Sequence, residues 1–214
     1  FDPRRFGDWA TLDYAKLTSV NDYQHMYTCM PPGMQHDVGR KIRTSPLYET
    51  LARRGARFQQ IAGWERARWY DTKGEGERYS YRRTNWLGPV GEECTAVRER
   101  VGLMDLSTFS KYDVIGPGAE VFLNRISSNR MPRKVGGIVL AHMLTAGGRI
   151  ESEFTATRLG PEHFYVLAAA VAQHHDLSLM RNAARPGEAV TITDLTDDYG
   201  TLVLAGPLAR DVLA

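Results

Sequence analysis

The sequence predicts an α+β fold with a largely antiparallel sheet. Two features of its 214 residues carry that prediction. The clearest strand patterns come as hairpins: VGGIVLAHMLT (135–145) and RIESEFTATRLG (149–160) flank a Gly147-Gly148 turn. Strand and helix patterns are also mixed without the regular alternation of a doubly wound parallel sheet, and no GxGxxG follows a strand.

Taken in order, residues 1–45 read as irregular: they are rich in Tyr, Asp, Arg and Pro and are broken at Pro31-Pro32-Gly33. With little apolar periodicity, such a stretch is expected to wrap over another domain. Ser45 then caps a short helix with Pro46 at its first position, Leu47, Leu51 and Ala52 as its apolar stripe, and Gly55 as its stop. The aromatic segment FQQIAGWERARWY (58–70) leads into the polar break DTKGEGERYS (71–80), which places a module boundary near residues 70–80.

The second module opens with a helix from Gly91, with Val97 and Val101 inward, ending near Gly102. SKYDVIG (110–116) reads as a strand, and Gly116-Pro117-Gly118 turns it into the helix AEVFLNRI (119–126). After the hairpin come the strand HFYVLAAA (163–170), the helix VAQHHDLSLMRNAAR (171–185), and the strands AVTITDLT (189–196) and GTLVLAGP (200–207), the last expected to be buried. The chain starts at Phe1 without an initiator Met and stops inside the helix-like GPLARDVLA, so a piece of a longer protein is expected.

Composition narrows the function. Twenty-seven basic against 25 acidic residues give a net charge of +2, 43% of residues are hydrophobic, and no apolar run is long enough to span a bilayer. Nothing suggests a field for nucleic acid or an anionic membrane. Arg outnumbers Lys 22 to 5, but the cations are scattered. Cys29 and Cys94 form neither a disulfide framework nor a zinc motif. GxxxxGK[ST], HExxH and GxSxG are absent. In His174-His175-Asp176 the two imidazoles point about 100° apart on a helix, which disfavours a shared metal and leaves a solvated helix face. No metal site is expected.

Two segments could carry chemistry. On the strand 149–160, period-2 alternation puts Glu151, Glu153, Thr155 and Thr157 on one face and Phe154 and Ala156 on the other. A row of carboxylates and hydroxyls suits a polar cavity for a nitrogen-rich ligand, with a carboxylate accepting N–H bonds or acting as a base. A solvated sheet face is the simpler reading of the same pattern. The run Tyr79–Trp86 mixes aromatic and cationic groups, and domain docking accounts for it better than ligand binding.

Read in series, RTSPLYETLARRGARF, GWERARWY, YRRTNW, VGEECTAVRERVGLMDLS, GPGAEVFLNRI and AHMLTAGGRIESEFTATRL resemble the folate-linked, flavin-dependent demethylating oxidoreductases of the dimethylglycine and sarcosine dehydrogenase group. The resemblance covers nearly the whole chain. It implies that residues 1–75 are the end of the FAD-dependent oxidoreductase's central or linker domain. Residues 80–214 would be the first part of a folate-binding domain similar to the aminomethyltransferase, or T-protein, of the glycine cleavage system. It further implies that FAD oxidises an N-methyl amine to an iminium, and that tetrahydrofolate captures the one-carbon unit. FAD would then lie on an N-terminal part outside this chain, which alone could not oxidise amines.

The family pattern GG-x-x-D-D-L-T-V, anchored on Phe154-Thr155, places its acidic position on Glu153, with Ser152 before it and Glu151 as the nearest alternative carboxylate. By the same resemblance, Phe109 takes the place of a folate-facing Met and Met143 matches the Met of the neighbouring strand. Leu140 stands where Tyr is frequent, Ala169 where Asn is frequent, and Thr155 completes the implied pocket. Arg149 and Arg158 read as structural or solvated. The implied partners are a small methylated amine and folate, without nucleic acid or membrane. The implied location is the cytoplasm of a bacterium or the mitochondrial matrix of a eukaryote. Two alternatives remain open: a flavin-free aminomethyl or methyl transferase of the same fold, and a non-catalytic folate-binding module.

Overall fold

The computed structural model describes residues 6–214, and its chain divides into two compact units, Phe1–Thr108 with Gly200–Ala214, and Phe109–Tyr199. The first five residues of the stretch expected to be irregular lie outside the described part.

In the first unit that expectation is corrected. Leu12–His25 is a 14-residue helix, α1, with Thr11 as its N-cap accepting from the Tyr14 amide at 3.2 Å. None of its residues is buried, so it carries no apolar face for a periodicity search to find. The aromatic segment is a hairpin of strands β2 (Ala56–Ile61) and β3 (Trp64–Tyr70), with the short β1 (Arg43–Thr44) parallel to β3. Ala62 and Gly63 both take positive φ (49° and 80°), the two-residue turn that matches strand twist.

Helix α2 (Tyr48–Arg53) lies between β1 and β2. The expected Ser45 cap is corrected: the helix begins at Tyr48 with Leu47 as N-cap and no side-chain cap, Ser45 accepting only from the Leu47 amide at 3.3 Å, while Gly55 ends the helix at φ +86° as expected. The Tyr79–Trp86 run packs within this unit: Trp86 stacks on Trp69 at 6.0 Å, Tyr79 meets Trp86 edge-on at 5.2 Å, and the Arg68 guanidinium lies 4.5 Å above the Trp86 ring.

Helix α3 (Leu87–Glu99) starts four residues before the expected Gly91, because Pro89 sits in its first turn, where a missing N–H costs nothing. Strand β4 (Gly102–Asp105) follows and pairs antiparallel with β10 (Leu202–Ala205); α6 (Ala209–Leu213) ends the chain. Strand β10 was expected to be buried. It is half-buried instead, with Leu202 52% exposed, because β4 is its one sheet neighbour.

The second unit follows the sequence closely. Strand β5 (Ser110–Ile115) turns through Gly116-Pro117-Gly118 into α4 (Ala119–Ile126). The hairpin β6 (Ile138–Leu144) and β7 (Ile150–Gly160) is followed by β8 (His163–Ala168), α5 (Gln173–Ala183) and β9 (Thr191–Asp194). The sheet order is β6-β7-β8-β5-β9, and every pairing is antiparallel.

Tyr112, Val114, Ala141, Phe154, Ala156, Phe164 and Val166 point to one face, where α4 and α5 supply Phe122, Leu123, Leu177 and Met180. Burying a side chain such as Phe122 or Leu123 stabilises the fold by about 1.5–3 kcal/mol. Arg158 is structural, its guanidinium held by Glu120 at 2.7 Å and by the Pro132 and Pro161 carbonyls. The helices thus cover one face of the sheet, and side chains on the other face project away from the core.

Candidate functional site

The pairing register gathers the sequence-derived site residues on that other face. Glu153 of β7 stands directly opposite His142 of β6, and the His142 Nε2 lies 3.0 Å from the Glu153 Oε2. In the next open-face row, Thr155 sits between Leu140 of β6 and Leu167 of β8. A third row holds Ile138, Thr157 and Tyr165. Phe154, Ala168 and Ser110 form one continuous register. Ala169 and Phe109, one residue further on, therefore leave the sheet at the end where Glu153 stands. The Ser110 hydroxyl ties that end by donating to the Ala169 carbonyl at 3.2 Å.

Leu140, Glu153 and Thr155 thus share one end of the open face, and Phe109 and Ala169 lie just beyond the same end of β5 and β8. Met143 is not among them. It pairs with Ser152 and lies 5% exposed in the core beneath the sheet.

The face offers two textures. Glu153 is 60% exposed at the side chain and His142 29%, while Leu140 and Ile138 are 54% and 66% exposed. A carboxylate and a threonine hydroxyl beside flat apolar rows suit a planar, nitrogen-rich ring system with N–H groups along one edge.

Glu151 departs from the expected alternation. Met143 pairs with Ser152 but Leu144 pairs with Ile150, so Glu151 is the extra residue of a β-bulge. The bulge takes Glu151 out of register with Glu153, and its Oε1 sits 3.1 Å from the His175 Nε2 on α5, the helix packed on the core side.

The His175 Nδ1 lies 3.2 Å from the Asp176 Oδ1, so one imidazole stands between two carboxylates. Burial opposes charging of His175, but Asp176 and Glu151 outweigh it and hold the pKa above its usual value. Asp176 was read as part of a solvated helix face and is instead 1% exposed. Gln173, Asp176, Leu177 and Met180 are the buried positions of α5, the i, i+3, i+4, i+7 spacing that the sequence already displayed. Burial pushes the Asp176 carboxyl up, against the pull of Ser152 and His175, and its Oδ2 accepts no hydrogen bond.

Among the described residues no three His, Cys, Asp or Glu side chains are grouped to hold a metal ion, and no helix is long and apolar enough to cross a membrane.

Comparison with known proteins bears on both units. The family described as "GCVT N-terminal domain" matches residues 47–214, and the one described as "FAD dependent oxidoreductase central domain" matches residues 1–45. Mitochondrial dimethylglycine dehydrogenase of Mus musculus is 37% identical over 216 residues, covering 99% of this chain and 25% of that protein. The 4-methylaminobutanoate oxidase (formaldehyde-forming) of Paenarthrobacter nicotinovorans is 33% identical over 216 residues, covering 100% of this chain and 26% of that protein. The chain therefore spans about a quarter of the length of these curated relatives. Among solved structures, the glycine cleavage system aminomethyltransferase T of Bartonella henselae aligns with a TM-score of 0.68 at 27% identity, over 80% of this chain and 42% of that one.

Proposed function

The chain belongs to the GCVT N-terminal domain family, preceded by residues that match an FAD dependent oxidoreductase central domain, and from that premise we propose that it is part of a flavoprotein N-methyl-amine oxidoreductase. In this reading the enzyme demethylates an amine of the dimethylglycine or sarcosine type and passes the one-carbon unit to tetrahydrofolate. The observation that carries the reading is the placement of Glu153 beside Thr155 and Leu140 at one end of the open sheet face.

Tetrahydrofolate, when bound, supplies the secondary amine that takes up the one-carbon unit. Glu153 would accept an N–H hydrogen bond from that amine and so help to hold and orient it. Glu153 would take the proton released at that nitrogen when the one-carbon unit is captured, with the demethylated amine leaving as the other product. Thr155 offers a hydroxyl to the ring edge. Leu140 and Leu167 pack against the ring face and exclude water, which would otherwise hydrolyse the iminium to formaldehyde. Phe109 and Ala169 border the same end of the sheet. Met143 lies in the core on the opposite side of the sheet and takes no part in this pocket.

The residues described here offer no dinucleotide-binding turn, so FAD would be held by a part of the protein outside these 214 residues. The module limits 1–75 and 80–214 are part of the same proposal, as is a location in a bacterial cytoplasm or a mitochondrial matrix.

The experiment uses the full-length flavoprotein with dimethylglycine or sarcosine and tetrahydrofolate. Amine-dependent flavin reduction and methylenetetrahydrofolate formation are expected, with Glu153→Gln diverting the one-carbon unit to formaldehyde. Absence of flavin reduction by any N-methyl amine would overturn the oxidoreductase reading. An unchanged methylenetetrahydrofolate yield in Glu153→Gln would overturn the role of Glu153.

A further inference from the structure

A glutamate that is 60% exposed on an open sheet face is, by itself, a poor catalytic group. Its side chain carries rotamer freedom that costs up to about 2 kcal/mol to freeze, and a base that samples several rotamers seldom meets its proton. In this chain one side chain stands within reach of that carboxylate. His142 stands directly across from Glu153 in the β6–β7 register, and its ring is more covered than the carboxylate it faces, at 29% against 60% exposure. The contact joins the His142 Nε2 to one carboxylate oxygen, Oε2, at 3.0 Å.

We propose that His142 is a positioning residue for Glu153: its Nε2–H pins Oε2 and leaves Oε1 turned to the open face as the oxygen that meets the ligand. The proposal rests on the reading of Glu153 as the folate carboxylate and adds the group that makes it competent. Strand pairing fixes the geometry, since the two Cβ atoms of opposed residues stand about 5 Å apart and a long side chain on each closes the gap.

Neutral imidazole with its proton on Nε2 and the imidazolium ion both donate here, so the role does not depend on the charge of His142. The proton released by the ligand nitrogen ends on Oε1 of Glu153 and none passes to His142, so the ring keeps its hydrogen bond throughout. The row of Leu140, Thr155 and Leu167 lies one pleat repeat from the pair, so the carboxylate stands beside the surface where a ring would lie.

The test compares His142→Leu, which removes the donor, with His142→Gln, whose amide nitrogen falls close to the place of Nε2, in the full-length flavoprotein. Three quantities are read: kcat and KM for tetrahydrofolate, the partition of the one-carbon unit between methylenetetrahydrofolate and formaldehyde, and flavin reduction by the amine as control. His142→Leu is expected to lower folate-dependent kcat roughly tenfold and raise the formaldehyde share, with KM changed less and flavin reduction unchanged. His142→Gln is expected to recover most of that loss. In a Glu153→Gln background, His142→Leu is expected to add nothing.

If Glu153→Gln collapses folate capture but His142→Leu leaves it intact, the positioning role alone fails. If Glu153→Gln has no effect, the reading of Glu153 fails and takes this inference with it. Should His142→Leu not fold, His142→Asn, whose shorter amide cannot reach Oε2, replaces it: Gln active and Asn impaired supports the role, and equal activity overturns it.

Discussion

Glu151 and His175 join two elements that the sheet ladder does not connect: the bulged residue of β7 meets α5 through a 3.1 Å contact to Nε2. The other ring nitrogen faces the buried Asp176 at 3.2 Å, so the hairpin and the helix share a single imidazole.

This cluster sets an alkaline limit on stability. The folded-state pKa of His175 is raised, so its stabilisation is complete below the unfolded value of about 6.5 and is lost as pH climbs through the raised folded value. The pKa of Asp176 is raised as well, by burial, so ionising it adds a cost on the same side as pH rises past the ordinary carboxylate range. Thermal melts are expected to show the chain most stable in mild acid and weakening through neutrality. His175→Gln should flatten that slope, and NMR titration should find the His175 midpoint above 6.5. A midpoint at or below 6.5 would remove the cluster from the account.

The acid limit has a different owner. Arg125 of α4 donates from Nη2 to both Glu188 oxygens, at 2.8 and 2.7 Å, and to the Ala183 carbonyl at the end of α5. The Arg125 guanidinium holds the Glu188 carboxyl below the usual carboxylate range. That contribution is present above pH about 4.5 and fades as pH falls through the lowered folded value. Glu188→Gln is expected to lower stability at pH 6 and to make no further difference at pH 2.5. An equal effect at both pH values would show the loss to be steric instead of electrostatic.

What could be read in advance follows from periodicity. Strand β5, the Gly-Pro-Gly turn, α4 and the β6–β7 hairpin were legible because apolar residues alternate cleanly and glycines mark the turns. Helix α1 was not, since it buries nothing and is held by its Thr11 cap and packing of residues such as Tyr14, whose hydroxyl meets Gln60 at 3.1 Å. The β2–β3 hairpin was obscured by the register shift between Arg57 and Phe58, which breaks strict alternation. The same physics hid Glu151: a bulge at Met143/Leu144 has no residue-type signature, so counting by two put it beside Glu153. Asp176 was hidden because its charge argues for solvent while its position falls in the buried spacing of α5. The set around Glu153 was reached through family resemblance, since alternation alone did not separate a binding face from a solvated one.

Phe122 offers a check on the core. It is fully buried among Tyr112, Leu123, Phe164 and Met180 on the helix-covered face. Phe122→Ala is expected to cost about 3–5 kcal/mol, as transfer loss plus the cavity left behind. Denaturant unfolding monitored by far-UV circular dichroism would measure it. A loss under about 1 kcal/mol would mean that α4 does not anchor the sheet.

Gly116 and Gly148 both occupy positive φ, yet their substitutions should differ. At Gly148 (φ +76°) a Cβ meets nothing within 4 Å, so Gly148→Ala bears only the left-handed penalty of roughly 1–2 kcal/mol. At Gly116 (φ +133°) the same atom would come 2.2 Å from the Ala189 carbonyl oxygen and 3.3 Å from the Val190 Cα. That carbonyl cannot simply withdraw, because it accepts the Gly118 amide at 3.0 Å at the start of α4. Gly116→Ala therefore has to displace backbone that orients α4, and its loss should exceed that of Gly148→Ala by more than about 1 kcal/mol. Equal destabilisation of the two variants would mean that the segment before β9 yields freely, and that the turn does not fix α4 against the sheet.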